Sequence, residues 1–255
     1  MFSTDLAYIH DAGFGAFAEG AAPEIVRILR RHGIAAGRSA RRQPRIVEVG
    51  CGSGTLARLL IDCGYDVLGF DISAAMLQLA RRKVPEATFR RQSLTDLRVP
   101  RCAAVVAIGE VIDYVPAGAS KAGLPASLRR FFARAHDALE PGGLLIFDFI
   151  ESAAKRTYQA KSKAGPDWVI AAHAELDDAG RTLTRRLVTI RRIGRQFRRS
   201  QESHGVRIYP RREVGEALAA AGFTTRMSRA YGRYGLMSGD VAVIASKGGG
   251  VRPRL

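Results

Sequence analysis

Residues 46–60 read IVEVGCGSGTLARLL, with Gly50, Gly52 and Gly54 at every second position between an apolar run and a helical one. A backbone that turns sharply from strand to helix, often through positive φ, favours glycine, and the missing Cβ atoms let a ligand approach closely. The helix that begins near Ser53 turns free N–H groups toward such a ligand. The next apolar run ends in GFD, which puts Asp71 where a carboxylate can accept both hydroxyl protons of a ribose. A nucleoside ligand follows. A dinucleotide fingerprint would need a third glycine at position 55, which is Thr55. Glu48, just inside the loop, would repel a pyrophosphate and suits a cationic ligand.

The elements that must position these residues alternate. RIVEVG, DVLGFD, ATFRRQ, AAVVAIG and LLIFDF read as strands. The intervening helices carry apolar residues at helical spacing, as in Leu56, Leu59, Leu60 and Cys63. PEIVRILRRHG reads as a preceding helix with Pro23 in its first turn, and EPGG before the fifth strand reads as a turn. The pattern predicts an α/β fold: a doubly wound, seven-stranded, mostly parallel sheet. After Glu151 the turn signals DDAGR and IGR, with β-branched alternation between them, predict two or three antiparallel strands inserted into that unit. PRREVGEALAAAGF restores helix, and TTRMSRAYG and DVAVIAS read as a closing strand pair. The expected division is a core with an N-terminal lid over 1–150, a β insertion over 151–208, closing elements over 209–247 and a tail over 248–255.

Taken together, Glu48-x-Gly50-x-Gly52-x-Gly54, VLGFDIS, EVIDYV and LEPGGLLIFDF resemble the class I S-adenosylmethionine-dependent methyltransferases with a Rossmann-like fold. The likeness runs well over Arg45–Ile150 and acceptably over the later helix and strands. It implies S-adenosyl-L-methionine as cofactor and S-adenosyl-L-homocysteine as product. It implies Gly50, Cys51, Gly52 and Gly54 beneath the methionine part, with Glu48 setting the loop and the amino end. Asp71 would hold the ribose, and Ile72 and Met76 would meet the adenine. The family often carries an acid after the third strand; here that place falls at Ser93 and Leu94. Ile108, with Gly109, would lie beside the sulfur-bearing arm.

In that family the acceptor pocket is built from the leader, the loop after the fourth strand and the insertion. The leader offers Tyr8, His10, Phe14 and Phe17 as a lid, or as a hydrophobic staple for the next helix. The loop offers Glu110, Asp113 and Tyr114, facing the cleft or capping locally. The insertion offers Trp168, His173, Glu202, His204 and Arg207. Small-molecule N- and O-methyltransferases that this chain resembles often carry a histidine and an arginine near the end of such an insertion. His204 and Glu110 are therefore the candidate catalytic residues, and Tyr8, Phe14, Tyr114, Trp168 and Arg207 the candidate substrate contacts. Asp148 either faces the acceptor or caps a turn.

The expected activity is methyl transfer to nitrogen or oxygen of a small molecule. The net charge of +16, from 34 arginines and 6 lysines against 24 acids, keeps an RNA methyltransferase as the alternative, with Arg181–Arg199 as its patch. Against it, the fourth strand runs into IGEVIDYVP and not an [N/D]-P-P-aromatic tetrapeptide. A catalytically silent cofactor-binding subunit is a third reading. Cys51, Cys63 and Cys102 lack CxxC spacing, so no metal site or disulfide framework is expected. No apolar run reaches the roughly 18–20 residues of a membrane span, and the N-terminus lacks a signal-peptide pattern, so a cytoplasmic location is expected. A homodimer contact through the insertion stays open.

Overall fold

The computed structural model describes residues 2–37, 42–114, 123–153 and 156–249. Two helices come first, α1 (Thr4–Phe14) and α2 (Ala16–Arg31), then β1 (Arg45–Val49), α3 (Thr55–Asp62), β2 (Asp66–Asp71), α4 (Ala74–Lys83), β3 (Thr88–Arg91) and β4 (Cys102–Ala107). They are followed by α5 (Ala126–Ala138) and β5 (Leu139–Ile150). Four strands follow without a helix between them: β6 (Tyr158–Gly165), β7 (Trp168–Leu176), β8 (Thr182–Ile193) and β9 (Gln196–Arg207). The chain closes with α6 (Arg211–Ala220), β10 (Phe223–Ser228), the short pair β11 (Ala230–Tyr231) and β12 (Tyr234–Gly235), and β13 (Asp240–Lys247).

The main sheet has the order β3-β2-β1-β4-β5-β13-β10, with β13 antiparallel to both neighbours and the other pairs parallel. This is the seven-stranded, mostly parallel sheet expected. Alternate residues of each strand face opposite sides, so Val47 and Val49 join one core with Phe132, Phe147 and Leu218. Ile46 joins the other, with Ile25, Leu29, Leu56 and Leu60. Helices on both faces cover β4, which is buried along its whole length. The carboxyl ends of β1, β2 and β4 therefore meet at one edge, where the functional loops lie.

The second sheet, β6-β7-β8-β9, is antiparallel throughout. It has four strands and not two or three. The extra strand, YQAKSKAG, is an exposed edge with no β-branched residue, so propensity does not reveal it. Two further boundaries differ from expectation. Helix α2 starts seven residues before Pro23, through the helix-forming run AFAEGAA. Residues 140–143, expected as a turn, lie within β5, which opens at Leu139, paired with Cys102 before a bulge. Residues 250–255 of the expected tail lie outside the described residues. Among the described residues no helix is long and apolar enough to cross a membrane.

Candidate active site

The floor of the site is backbone. Gly50, Gly52 and Gly54 have φ of 70°, 53° and 81°, the left-handed region where a side chain is strained. The Gly50 and Cys51 amides both donate to the Phe70 carbonyl, at 2.7 and 3.0 Å, which ties the loop to the end of β2. Asp71 completes that tie. Its Oδ2 accepts from the Gly52 amide at 2.9 Å and its Oδ1 from the Ser73 amide at 2.7 Å. Burial raises the Asp71 carboxyl above its usual range, and these backbone donors oppose the rise.

Two observations test whether a cationic nucleoside fits here. A Cβ built on Gly52 would meet nothing within 4 Å, so open space lies directly above that backbone. Beneath it, Glu48 is buried and its Oε2 has no hydrogen-bond partner. Burial first, and Asp71 second, push the Glu48 carboxyl up to about 8. An orphaned buried carboxyl beside a bare cradle suits a positive group, against which it would ionise. S-adenosylmethionine, with an ammonium, a sulfonium and a ribose diol, meets those demands; it would rest on Glu48, Gly50, Gly52 and Asp71. Cys51 is buried in the core behind the loop. Of the two expected adenine contacts, Ile72 is 48% exposed and Met76 is buried. Ser93 exchanges its hydroxyl with Thr95 at 2.8 Å, and Leu94 packs against the core.

The loop after β4 is held by Asp148. Its Oδ1 accepts from the Gly109 amide at 2.8 Å and the Tyr231 hydroxyl at 2.9 Å, and its Oδ2 from the Glu110 amide at 2.8 Å. Burial pushes this carboxyl up to about 7. Asp148 thus caps the turn in which Gly109 and Glu110 both take positive φ. Ile108, one residue earlier, packs against the core beside this turn. Glu110 does not stand open as a base. Its carboxylate pairs with Arg156, and with Arg185 at 2.7 Å, while Arg156 also reaches Asp240. Burial pushes Glu110 up, but the two guanidiniums outweigh it and hold the group below the carboxylate range. That arrangement corrects the expected catalytic role: a carboxylate so stabilised fixes the loop and takes a proton poorly.

The roof is made by α1 and the inner face of the second sheet. Leu6 and Ile9 pack on Trp168 and Ile170. Asp5, buried, is paired with Arg198 and with Arg191 at 3.2 Å. Tyr8 donates to Asp167 at 3.0 Å, and the Arg191 guanidinium lies 3.5 Å over its ring. On the opposite flank, Ser73 Oγ donates to the Phe2 carbonyl at 3.0 Å, and Lys83 joins Asp11 to Thr55 Oγ1 at 3.1 Å and Ser53 Oγ at 3.3 Å. The strap formed by residues 2–14 therefore bridges floor and roof. Tyr8 and Trp168, expected to touch substrate, fasten this strap, and Trp168 is nearly fully buried.

A row of rings runs along the strap. Phe14 stacks on His10 at 5.7 Å, His10 meets Phe2 at 5.3 Å, Phe2 meets His204 at 5.4 Å, and His204 meets Tyr114 at 6.0 Å. Four residues chosen from distant parts of the sequence, His10, Phe14, Tyr114 and His204, are thus brought together. Tyr114 also bridges to Val206 of β9. Burial lowers the His204 imidazole below its usual pKa, and the same holds for His10. Arg207 lies apart, buried and donating to the Gly123 carbonyl at 3.3 Å. His173 sits beside Arg186 at 3.5 Å.

The arginine-rich stretch is partly accounted for by these contacts. Arg181 pairs with Glu213, Arg185 with Glu110, Arg186 with Glu175, and Arg191 and Arg198 with Asp5. The acidic partners Asp5, Asp11 and Asp240 were not legible as site-builders, because their partners lie far away in sequence. Lys83 carried no signal beyond helix-end charge.

Comparison with known proteins agrees with this geometry. The methyltransferase-domain family matches residues 46–143. A dTDP-3-amino-3,6-dideoxy-alpha-D-glucopyranose N,N-dimethyltransferase of Streptomyces fradiae is 26% identical over 242 residues, covering 88% of this chain and 85% of that protein. A ubiquinone biosynthesis O-methyltransferase of Alkalilimnicola ehrlichii is 35% identical over 118 residues, covering 44% of this chain and 43% of that protein. In fold, the chain is similar to a solved S-adenosylmethionine-dependent methyltransferase from Clostridium acetobutylicum. The TM-score is 0.78 at 15% identity, over 95% of this chain and 98% of that one.

Proposed function

We propose that this chain is a class I S-adenosylmethionine-dependent methyltransferase whose acceptor is the amino group of a small molecule, an amino sugar in particular. The carrying observation is the extent of the likeness to the sugar N,N-dimethyltransferase, which covers 88% of the chain. A match of that length extends well past the cofactor floor, into the second sheet that helps form the roof. The match to the O-methyltransferase spans 44% of the chain, too short to reach from the strap to β9. Against the RNA reading, the basic stretch that motivated it spends Arg181, Arg185, Arg186, Arg191 and Arg198 on ion pairs within the chain.

When bound, the cofactor supplies an activated methyl group, so the protein's part is alignment, exclusion of water and care of one proton. Glu48 would balance the positive charge, Gly52 would permit close approach, Gly50 would shape the loop against Val111, and Asp71 would hold the ribose. Asp148 keeps the 109–110 turn in its strained shape beside the reacting arm. Phe2, His10, Tyr114 and His204 present a largely uncharged wall to the acceptor. A neutral amine held against that wall would take the methyl group the cofactor supplies, the sulfur keeping the electron pair of the broken bond. The nitrogen then carries an extra proton, which His204 takes, being neutral because burial lowers its pKa.

The test uses methyl-labelled cofactor with dTDP-linked 3-amino sugars, their 3-hydroxy counterparts and bulk tRNA. Label in the amino sugars alone is expected; label in the hydroxy sugars or tRNA overturns the reading. His204→Ala is expected to lower turnover by about 100-fold, with homocysteine-form cofactor affinity unchanged in calorimetry.

A further inference from the structure

His204 is one of a pair. It and Glu202 lie two residues apart on β9 and so face the same side of the sheet, toward the strap. His204 Nε2 is 3.1 Å from Glu202 Oε2, and the other carboxylate oxygen, Oε1, accepts from the Ser3 backbone amide at 3.1 Å. Ser3 is also the N-cap of α1, where its hydroxyl accepts from the Leu6 amide at 3.3 Å. The plane of the imidazole is fixed between two rings, Phe2 and Tyr114, that meet it at 63° and 89°. Arg185, opposite His204 across β8 and β9, is occupied by Glu110.

We propose that Glu202 is the positioning residue for proton removal: held by the Ser3 amide, its carboxylate keeps the His204 proton on Nε2 and leaves Nδ1 to receive one from the acceptor. This rests on the reading of His204 given above. A carboxylate on one ring nitrogen selects the tautomer in which that nitrogen is the donor. Once Nδ1 takes the acceptor's proton, the imidazolium carries both protons, and ionised Glu202 balances its charge without itself being protonated. The strap supplies two of the contacts, the Ser3 amide and the Phe2 ring. The base is therefore aligned only while residues 2 and 3 are seated.

Nitrogen-15 spectra of the imidazoles in the full chain read the tautomer with no acceptor present, in wild type, Glu202→Gln and Glu202→Ala. Wild type is expected to show His204 protonated at Nε2. In Glu202→Gln the amide oxygen keeps the Ser3 contact and the NH2 group faces the ring, so the proton is expected to move to Nδ1. Glu202→Ala is expected to give a mixture of tautomers. Turnover of a dTDP-linked 3-amino sugar is expected to fall about tenfold in both variants, mostly in kcat with KM within about twofold, and Glu202→Asp is expected to recover part of it. An unchanged Nε2-protonated spectrum in Glu202→Gln, or full turnover in both variants, overturns the role of Glu202. Full turnover in His204→Ala overturns the underlying reading of His204, whatever the spectra show.

Discussion

The floor and the roof of this site are built by opposite means. Gly50, Gly52 and Gly54 make the floor by carrying no side chain, and Asp71 secures it across 19 residues of sequence. The roof is made of side chains whose partners are far apart: Asp5 and Arg198 are 193 residues distant, Ser3 and Glu202 199. A floor of that kind tolerates change in its neighbours but none in itself. A roof of that kind spreads its hold over many contacts, each replaceable at modest cost. The contrast shows how one fold can keep its cofactor constant while the acceptor varies.

That contrast can be broken most sharply at Asp71. Asp71→Ala would remove the proposed ribose contact and free the Gly52 and Ser73 amides together, so cofactor affinity should fall by about 2 kcal/mol, roughly 30-fold. Calorimetry with the homocysteine form of the cofactor measures it, and affinity within threefold of wild type would dissolve the distinction. Next in size, Asp5→Asn should release the strap from β8 and β9. Hydrogen exchange over residues 4–14 should quicken by about tenfold, with cofactor affinity changed less than in Asp71→Ala; equal losses of affinity would merge floor and roof into one unit.

The smallest effect expected is a proton. Glu48, raised to about 8 by burial, is largely protonated at pH 7 in the empty protein and ionises when a cation arrives. Cofactor binding should therefore release a fraction of a proton near pH 7, and affinity should strengthen as pH rises toward 8. The sign for stability is the reverse. A carboxyl whose folded pKa lies above its ordinary 4.5 favours the folded empty protein fully below 4.5, and that contribution is lost as pH rises toward 8. Calorimetry in buffers of differing ionisation enthalpy reads the proton, and Glu48→Gln should abolish the part that wild type shows and its variant lacks.

The floor was legible because its chemistry is local. The alternation of Gly50, Gly52 and Gly54, the acid at 48 and the acid closing GFD lie within one βαβ unit, and short spacing there fixes position in space. The roof was only half legible. His204 and Tyr114 could be selected by residue type, yet their meeting depends on how a four-stranded insertion folds back over β4. Trp168 read as a substrate contact because an aromatic in an insertion is ambiguous until its neighbours are known; Leu6 and Ile9 decide it. Glu110 read as a base for the same reason, since Arg156, Arg185 and Asp240 come from β5 onward. YQAKSKAG was missed because an edge strand needs no apolar face.

Trp168 has one further property. It is the single tryptophan of the chain, and a Cβ on Gly13 of the strap would fall 2.7 Å from its ring. Its ultraviolet emission is thus a built-in gauge of whether the strap is seated, needing no dye and no engineered label. Light from one indole would report any displacement of the strap from the sheet beneath it.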